Sequence, residues 1–303
     1  MNESNVTPHS LRAWLLAARP KTLPASAAPV LIGLALAAAD RGLSLTPAPA
    51  IACLLFALLM QIASNFINDL YDYLKGSDDS GRLGPKRACA EGWISPRAMQ
   101  IGIVLTVALA CVAGFVALAY SGWPLLAVGA ACVVGAYFYT TGPYPLSYNG
   151  WGDAMVVVFF GVVPVCATYW VQAGHVSGDA LLASVLCGVV VDTLLVLNNY
   201  RDCAQDRAHG KRTLIVRFGE RFGLYFYLVL GLSACWFCLV FAVSGYLWAA
   251  VLPQIYLVLH IRSWRQMVRI RRGRALNAVL GQTGRNIFFF ALLLSAGFLL
   301  SAL

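Results

Sequence analysis

The chain alternates between long apolar runs and short polar connections. The runs occupy approximately residues 22–39, 48–73, 98–119, 123–140, 152–172, 180–200, 222–243, 246–261 and 286–302. A hydrocarbon core of about 30 Å takes about 20 helical residues to cross. A backbone in lipid has no water to bond, so each run is predicted to be a transmembrane α-helix. The eighth is the shortest, and Pro253 interrupts it. The expected fold class is all-α, a polytopic membrane protein of nine helices in a single domain, residues 1–303. No room remains for a sizeable soluble domain.

The basic residues test this count independently, because Lys and Arg collect in cytoplasmic loops. With the N-terminus inside, Arg12, Arg19 and Lys21 precede the first helix, and Lys75, Arg82, Lys86, Arg87 and Arg97 follow the second. Arg201, Arg207, Lys211, Arg212, Arg217 and Arg221 lie between the sixth and seventh. Arg262, Arg265, Arg269, Arg271, Arg272, Arg274 and Arg285 lie between the eighth and ninth. Of 22 Lys and Arg, only Arg41 falls on the other side. The expected location is a cell inner (cytoplasmic) membrane, crossed many times, with a cytoplasmic N-terminus.

Composition agrees, with 60% hydrophobic residues and 12% charged ones. The net charge of +9 reads as topology and attraction to the lipid bilayer's anionic head groups, not as a nucleic-acid surface. The nine cysteines lie mostly in apolar runs, where Cys packs as a small hydrophobe. Cys235 and Cys238 form a C-x-x-C with no second pair to complete a metal site.

Two polar segments, Asn65 to Arg97 and Asn198 to Arg221, each follow a helix that runs inward. They predict a parallel duplication, with repeats of roughly 11–140 and 150–261 and a ninth helix added. The connection 262–285 is basic without any acid, and its expected role is lipid contact and orientation. The loop at 140–151 is uncharged and rich in turn formers and aromatics, which are ordinary interfacial anchors.

In the first segment Asp69 and Asp72 are three apart, a spacing that predicts one shared helix face, with Asn68 beside them, Asn65 a turn deeper and Lys75 a turn outward. Gly76 ends the helix, with Asp78 and Asp79 beyond. In the second, Asn198, Asp202 and Asp206 follow at intervals of four. Like charges gathered from two helices repel unless a divalent cation lies between them. Magnesium is typically held by one or two carboxylates plus substrate phosphates. Arg19, Lys21, Lys75, Arg201 and Lys211 nearby suit a diphosphate bridged by that metal. Asp192 stands two or three turns deeper than Asp202, where a charge is costly. It either lines a polar cavity, is protonated, or bonds a neighbouring helix. Asp153 either caps the fifth helix or touches substrate.

At these residues the sequence resembles the UbiA superfamily of intramembrane aromatic prenyltransferases, and within it the 1,4-dihydroxy-2-naphthoate branch of menaquinone synthesis. The likeness is carried by A-R-P-K-T at 18–22, N-D-L-Y-D-Y-L-K-G-S-D at 68–78 and R-L-G-P-K-R-A at 82–88. It continues through Y-T-T-G-P-Y-P-L at 139–146, G-W-G-D at 150–153 and N-N-Y-R-D-C-A-Q-D-R-A-H-G-K-R-T at 198–213. The resemblance implies nine helices around a central cavity with a cytoplasmic cap, Mg2+, a polyprenyl diphosphate donor and an aromatic acceptor. Asp69, Asp72, Asp202 and Asp206 are then the expected metal ligands. Arg19, Lys21, Asn65, Asn68, Lys75, Asn198, Arg201 and Lys211 are expected around the diphosphate, Tyr139 faces the allylic cation, and Asp153 meets substrate. Dihydroxynaphthoate is the expected acceptor, with 4-hydroxybenzoate or homogentisate as alternatives. A transporter is the rival from another class, since it shares internal duplication and polar residues between helices.

Overall fold

Helices account for the secondary structure of the described residues, which are 6–76 and 83–303 of a computed structural model. Asp78, Asp79 and Arg82 lie outside the described residues. The N-terminal segment opens with α1 (Leu11–Ala18), capped by the Ser10 hydroxyl, which accepts from the Ala13 N–H at 3.2 Å. Arg19 takes a left-handed conformation at φ 52° and turns the chain through a short 3-10 segment into α2 (Leu23–Asp40). Next come α3 (Pro47–Leu74), α4 (Pro96–Ser121) and α5 (Pro124–Thr140). Each of the three begins at a proline, which has no N–H to leave unsatisfied in a first turn.

The following crossing is one continuous stretch, in which α6 (Gly152–Val157) passes through a π-helical turn, Val158–Val162, into α7 (Val163–Ala173). The chain then forms α8 (Gly178–Ala208), α9 (Leu214–Phe218), α10 (Glu220–Cys238), α11 (Leu247–Val251), α12 (Tyr256–Ile270) and α13 (Leu276–Ser301).

Among the described residues, seven helical stretches are long and apolar enough to cross a membrane: Leu11–Asp40, Pro47–Leu74, Pro96–Ser121, Gly152–Ala173, Gly178–Ala208, Glu220–Ala242 and Leu276–Ser301. The expected fourth crossing is α5, a shorter apolar helix of 17 residues. The expected eighth is broken into α11 and α12 by a 3-10 turn, Leu252–Ile255, that carries Pro253. Proline removes one helical hydrogen bond and crowds the preceding turn, which accounts for the break.

Three polar ends are more helical than their composition predicts. α8 runs to Ala208, so Asp202 and Asp206 both stand on a helix. The basic stretch 262–285 is mostly helix as well, because α12 continues to Ile270 and α13 starts at Leu276. Arg262, Arg265 and Arg269 occupy the outward face of α12 at helical spacing, while Ser263 and Met267 are buried on the other. That amphipathic pattern carries the helix past the apolar run. A correction follows for this connection: its second half reaches the central cavity and is not only a lipid-facing segment.

Glycines set how closely the helices approach. A Cβ at Gly188 of α8 would stand 2.6 Å from the Val157 carbonyl oxygen, and one at Gly161 would meet the Ser184 carbonyl. The π-helical turn and α8 therefore touch backbone to backbone, as small residues permit between membrane helices. Gly297 of α13 makes a similar approach to Ala249 of α11. Cys235 and Cys238 are buried and unbridged, in keeping with packing.

Gly188→Val is expected to lower unfolding stability in detergent by about 1–3 kcal/mol through overpacking against Val157. Gly129→Ala, which points into open space, is expected to be neutral or to gain up to about 1 kcal/mol of helix propensity. Thermal or denaturant unfolding of the two variants checks the contrast.

Candidate active site

A cavity of about 1570 Å³ occupies the centre of the bundle, with walls from α2 to α8 and α13. It exceeds the roughly 300–1,000 Å³ of ordinary small-molecule sites. Most of its depth is apolar, lined by side chains such as Phe115, Val128, Phe159 and Leu195, and one end is strongly polar.

On α3 the polar face consists of Gln61, Ser64, Asn68 and Asp72, at steps of three and four residues. Asp69 does not share it. At roughly 100° per residue, Asp69 lies on the far side of Asp72 from Asn68. Its two carboxylate oxygens instead accept the N–H groups of Ala88 and Cys89, both at 2.9 Å. Asp69 is thereby an anchor for the segment that follows, and it is absent from the cavity wall. Asn65 is displaced from the site too. Its amide donates to the Ala18 carbonyl at 3.0 Å and the Thr22 hydroxyl at 3.1 Å, tying α3 to the turn that carries Arg19 and Lys21. Arg19 and Lys21 themselves line the cavity.

The anchored segment delivers Arg87, whose Nη2 donates to Asp72 Oδ2 at 2.9 Å, with both side chains buried. On α8, Arg201 grips the adjacent Asp202 through two bonds of 2.8 and 2.5 Å. It also donates to Asn198 Oδ1 at 2.8 Å and to Asn277 Oδ1 at 2.6 Å. Asn277, at the start of α13, donates in turn to the Leu83 carbonyl at 2.8 Å. Asp206 faces Lys211 at 3.4 Å. Asn68, Asp72, Arg87, Asn198, Arg201, Asp202, Asp206 and Lys211 all line the polar end of the cavity.

Lys75 stands outside the wall. Its ammonium bonds the Thr140 carbonyl and lies 4.5 Å from the centre of the Tyr148 ring, while Lys211 sits 4.8 Å from the same ring. Partial burial pushes Lys75 below the ordinary lysine value, with Lys211 adding to the effect against Asp72. For Lys211 burial acts downward, but Asp206 and Asp72 outweigh it, and its pKa is raised. Both therefore hold the loop at 141–151 over the polar end. That loop is pinned further by the Arg212 N–H to the Tyr148 carbonyl at 2.7 Å and by Arg217 to the Asn149 carbonyl at 2.8 Å.

Tyr139 and Asp153 line the deeper wall. Asp153 does not cap α6: it stands within the first turn, and no side chain caps that helix. Asp192 is buried behind the wall. The sequence reading missed Arg87, Thr140, Tyr148, Arg274 and Asn277 as site residues. Arg87 had a signal in R-L-G-P-K-R-A, but helical spacing alone has no means of linking Asn277 to Arg201.

Among the described residues no three His, Cys, Asp or Glu side chains gather to hold a metal unaided. Asp72, Asp202 and Asp206 do fit a magnesium ion that shares its ligands with a phosphate, which needs only one or two carboxylates. Each already accommodates a cation of this chain, so positive charge suits each position.

An all-helical membrane bundle whose apolar cavity ends in carboxylate and cation pairs defines a site for an amphiphile with an anionic head. The family is specific: residues 26–294 match the UbiA prenyltransferase family, and the chain belongs to it. It is an integral membrane prenyltransferase. The 1,4-dihydroxy-2-naphthoate octaprenyltransferase of Escherichia coli strain K12 is 38% identical over 215 residues, 69% of each chain. The protein of that description from Mycobacterium tuberculosis is 35% identical over 283 residues, 93% of this chain and 95% of its own. A UbiA homologue from Archaeoglobus fulgidus, solved with GPP and Mg2+, superposes with a TM-score of 0.64 at 17% identity. The match covers 94% of this chain and 99% of that one, so the two share a fold.

Asp69→Asn is expected to cost about 1.5–3 kcal/mol of stability by weakening charge-assisted bonds to the 88–89 backbone. Its folded fraction is expected to keep a prenyl-donor KM within a few-fold of the parent's. A donor KM raised a hundredfold in folded protein would put Asp69 on the substrate.

Proposed function

We propose that this chain transfers a polyprenyl group from an isoprenyl diphosphate to 1,4-dihydroxy-2-naphthoate, in a magnesium-dependent reaction of menaquinone synthesis. On this reading the active site faces the cytoplasm at the inner membrane, with the N-terminus on the same side. The observation that carries the reading is the set of buried and half-buried ion pairs, Arg87 with Asp72, Arg201 with Asp202 and Lys211 with Asp206, closing one end of a large apolar cavity. The naphthoate-specific relatives support the acceptor, and the charge asymmetry of the loops supports the orientation.

Asp72, Asp202 and Asp206, with Asn68 and Asn198 beside them, are the residues assigned to hold magnesium against the diphosphate. When bound, the metal supplies positive charge that stabilises the departing diphosphate. Arg87, Arg201 and Lys211 are positioned to exchange their carboxylate partners for phosphate oxygens, which accept equally strong charge-assisted bonds. Arg19 and Lys21 add positive charge at the mouth. These donors are aimed where negative charge develops as the carbon–oxygen bond breaks.

The tail lies in the apolar reach between α4 and α5, where Phe115, Leu126 and Val134 line the cavity. Tyr139 turns its ring toward the allylic carbon, whose positive charge an aromatic face attracts. The surrounding apolar wall keeps water from competing with the ring carbon of the acceptor. That carbon supplies the electron pair of the new carbon–carbon bond. Loss of the ring carboxylate as carbon dioxide returns a pair to the ring.

Asp72→Ala and Asp202→Ala are each expected to abolish prenyl transfer in membranes that contain normal amounts of inserted protein, and EDTA is expected to do the same to the parent. The measurement is product mass after incubation with magnesium, a geranylgeranyl or longer diphosphate, and dihydroxynaphthoate, 4-hydroxybenzoate or homogentisate. Full activity in either variant, or in EDTA, would refute the metal–diphosphate role; preference for another ring would reassign the acceptor.

A further inference from the structure

Two buried carboxylates have no part in that scheme. Asp153 is 7% exposed and Asp192 is 1% exposed, and Oδ1 of each lacks a hydrogen-bond partner among the described residues. A buried carboxylate oxygen left without a donor inside a membrane bundle is costly enough to need a reason.

The glycine contacts between α8 and the α6–α7 stretch bring the two acids together. Gly188 abuts Val157, Gly161 abuts Ser184, and Gly152 faces Leu195. These pairs run in opposite directions along the two segments, so they set an antiparallel register. Four residues back from Val157 is Asp153, and four forward from Gly188 is Asp192. The register therefore sets Asp153 opposite Asp192. Tyr139, whose hydroxyl lies near Gly152, is within electrostatic reach of both and also of Asp72 and Asp206. It stands between the acid pair and the anion-binding end.

Facing carboxylates repel unless one is protonated or a hydrogen donor or a cation lies with them. A metal cage is not available, since no third acid, His or Cys joins them among the described residues. Asp153 opens into the cavity beside Met155, Phe159 and Leu195, an apolar and aromatic surface that suits a flat ring. A ring that also carries a hydroxyl brings both the fit and the missing donor.

We infer that Asp153 and Asp192 form the hydroxyl subsite of the aromatic acceptor, an inference that rests on the prenyl-transfer reading and deepens it. One ring hydroxyl donates to Asp153 Oδ1, and Asp192 stands behind as the positioning residue. The ring is thereby oriented with its hydroxyl toward the membrane interior and its carboxylate toward the polar end of the cavity. Asp192 is six residues before Asn198, about 9 Å of helix rise, which separates the two ends of the acceptor. The acid pair repels an acceptor entering carboxylate first, so the device sets orientation as well as affinity.

The test uses the full chain in proteoliposomes with magnesium and geranylgeranyl diphosphate, and compares dihydroxynaphthoate with each of its two monomethyl ethers. The parent is expected to disfavour one ether at least tenfold in kcat/KM. Asp153→Asn and Asp153→Leu are expected to raise the acceptor KM about tenfold, leave the donor KM unchanged, and erase that preference. Asp192→Asn, which keeps the size and shape of the side chain and is expected to fold at least as well as the parent, should reduce the preference several-fold. Folded Asp153 variants that keep both the acceptor KM and the preference overturn the inference alone. If neither Asp153 variant folds, an unchanged preference in Asp192→Asn overturns it. A parent that transfers to no hydroxylated ring overturns the transfer reading itself, and the two failures are thereby told apart.

Discussion

The polar end of this protein depends on one constraint: a carboxylate withdrawn from water into a membrane bundle must be met by positive charge or by N–H donors. Asp72, Asp202 and Asp206 each meet it with a different basic residue, and each partner comes from a different stretch of backbone. Removing either member would strand the other in a poorly solvated position, which costs far more than the pair contributes. The connections around the cavity end are shaped by this requirement. Arg87 reaches Asp72 because Asp69 holds the backbone at Ala88 and Cys89. Arg201 is steadied by Asn277, which in turn grips the Leu83 carbonyl.

A site arranged this way is ready for an anionic head before one arrives. In the proposed reaction the guanidinium and ammonium groups are already gathered at that end, and binding exchanges their carboxylate partners for phosphate oxygens. The Tyr148 ring, with two lysines against it, holds the loop at 141–151 over the same end without adding a charge of its own. The deeper cavity works by contrast. Its wall is apolar, and Oδ1 of Asp153 in it and of Asp192 behind it have no hydrogen-bond partner among the described residues.

Backbone approach is what makes that depth possible. Gly161 and Gly188 let the π-helical turn pack against α8 with no side chain between, and the resulting register aligns Asp153 with Asp192. The π-helical turn also changes the direction in which α6 presents its first turn relative to α7. Such bulges are common where a helix must serve a site and span a membrane together.

Most of the architecture was legible in the chain itself. Apolar runs near 20 residues mark the helices, because burial in lipid penalises polar backbone and charge one residue at a time. The two acidic segments were legible for the same reason, since Asn68, Asp72, Asn198 and Asp202 stand out against apolar neighbours. Helix rotation was not: a spacing of three or four residues is compatible with several faces, and only packing against α1 and the 83–90 segment turned Asp69 and Asn65 out of the cavity. Pairings across long sequence separations, such as Arg201 with Asn277, and the opposition of Asp153 and Asp192 belong to tertiary structure alone. They arise where separate helices meet, and no local pattern along one helix encodes which face of another will be its neighbour.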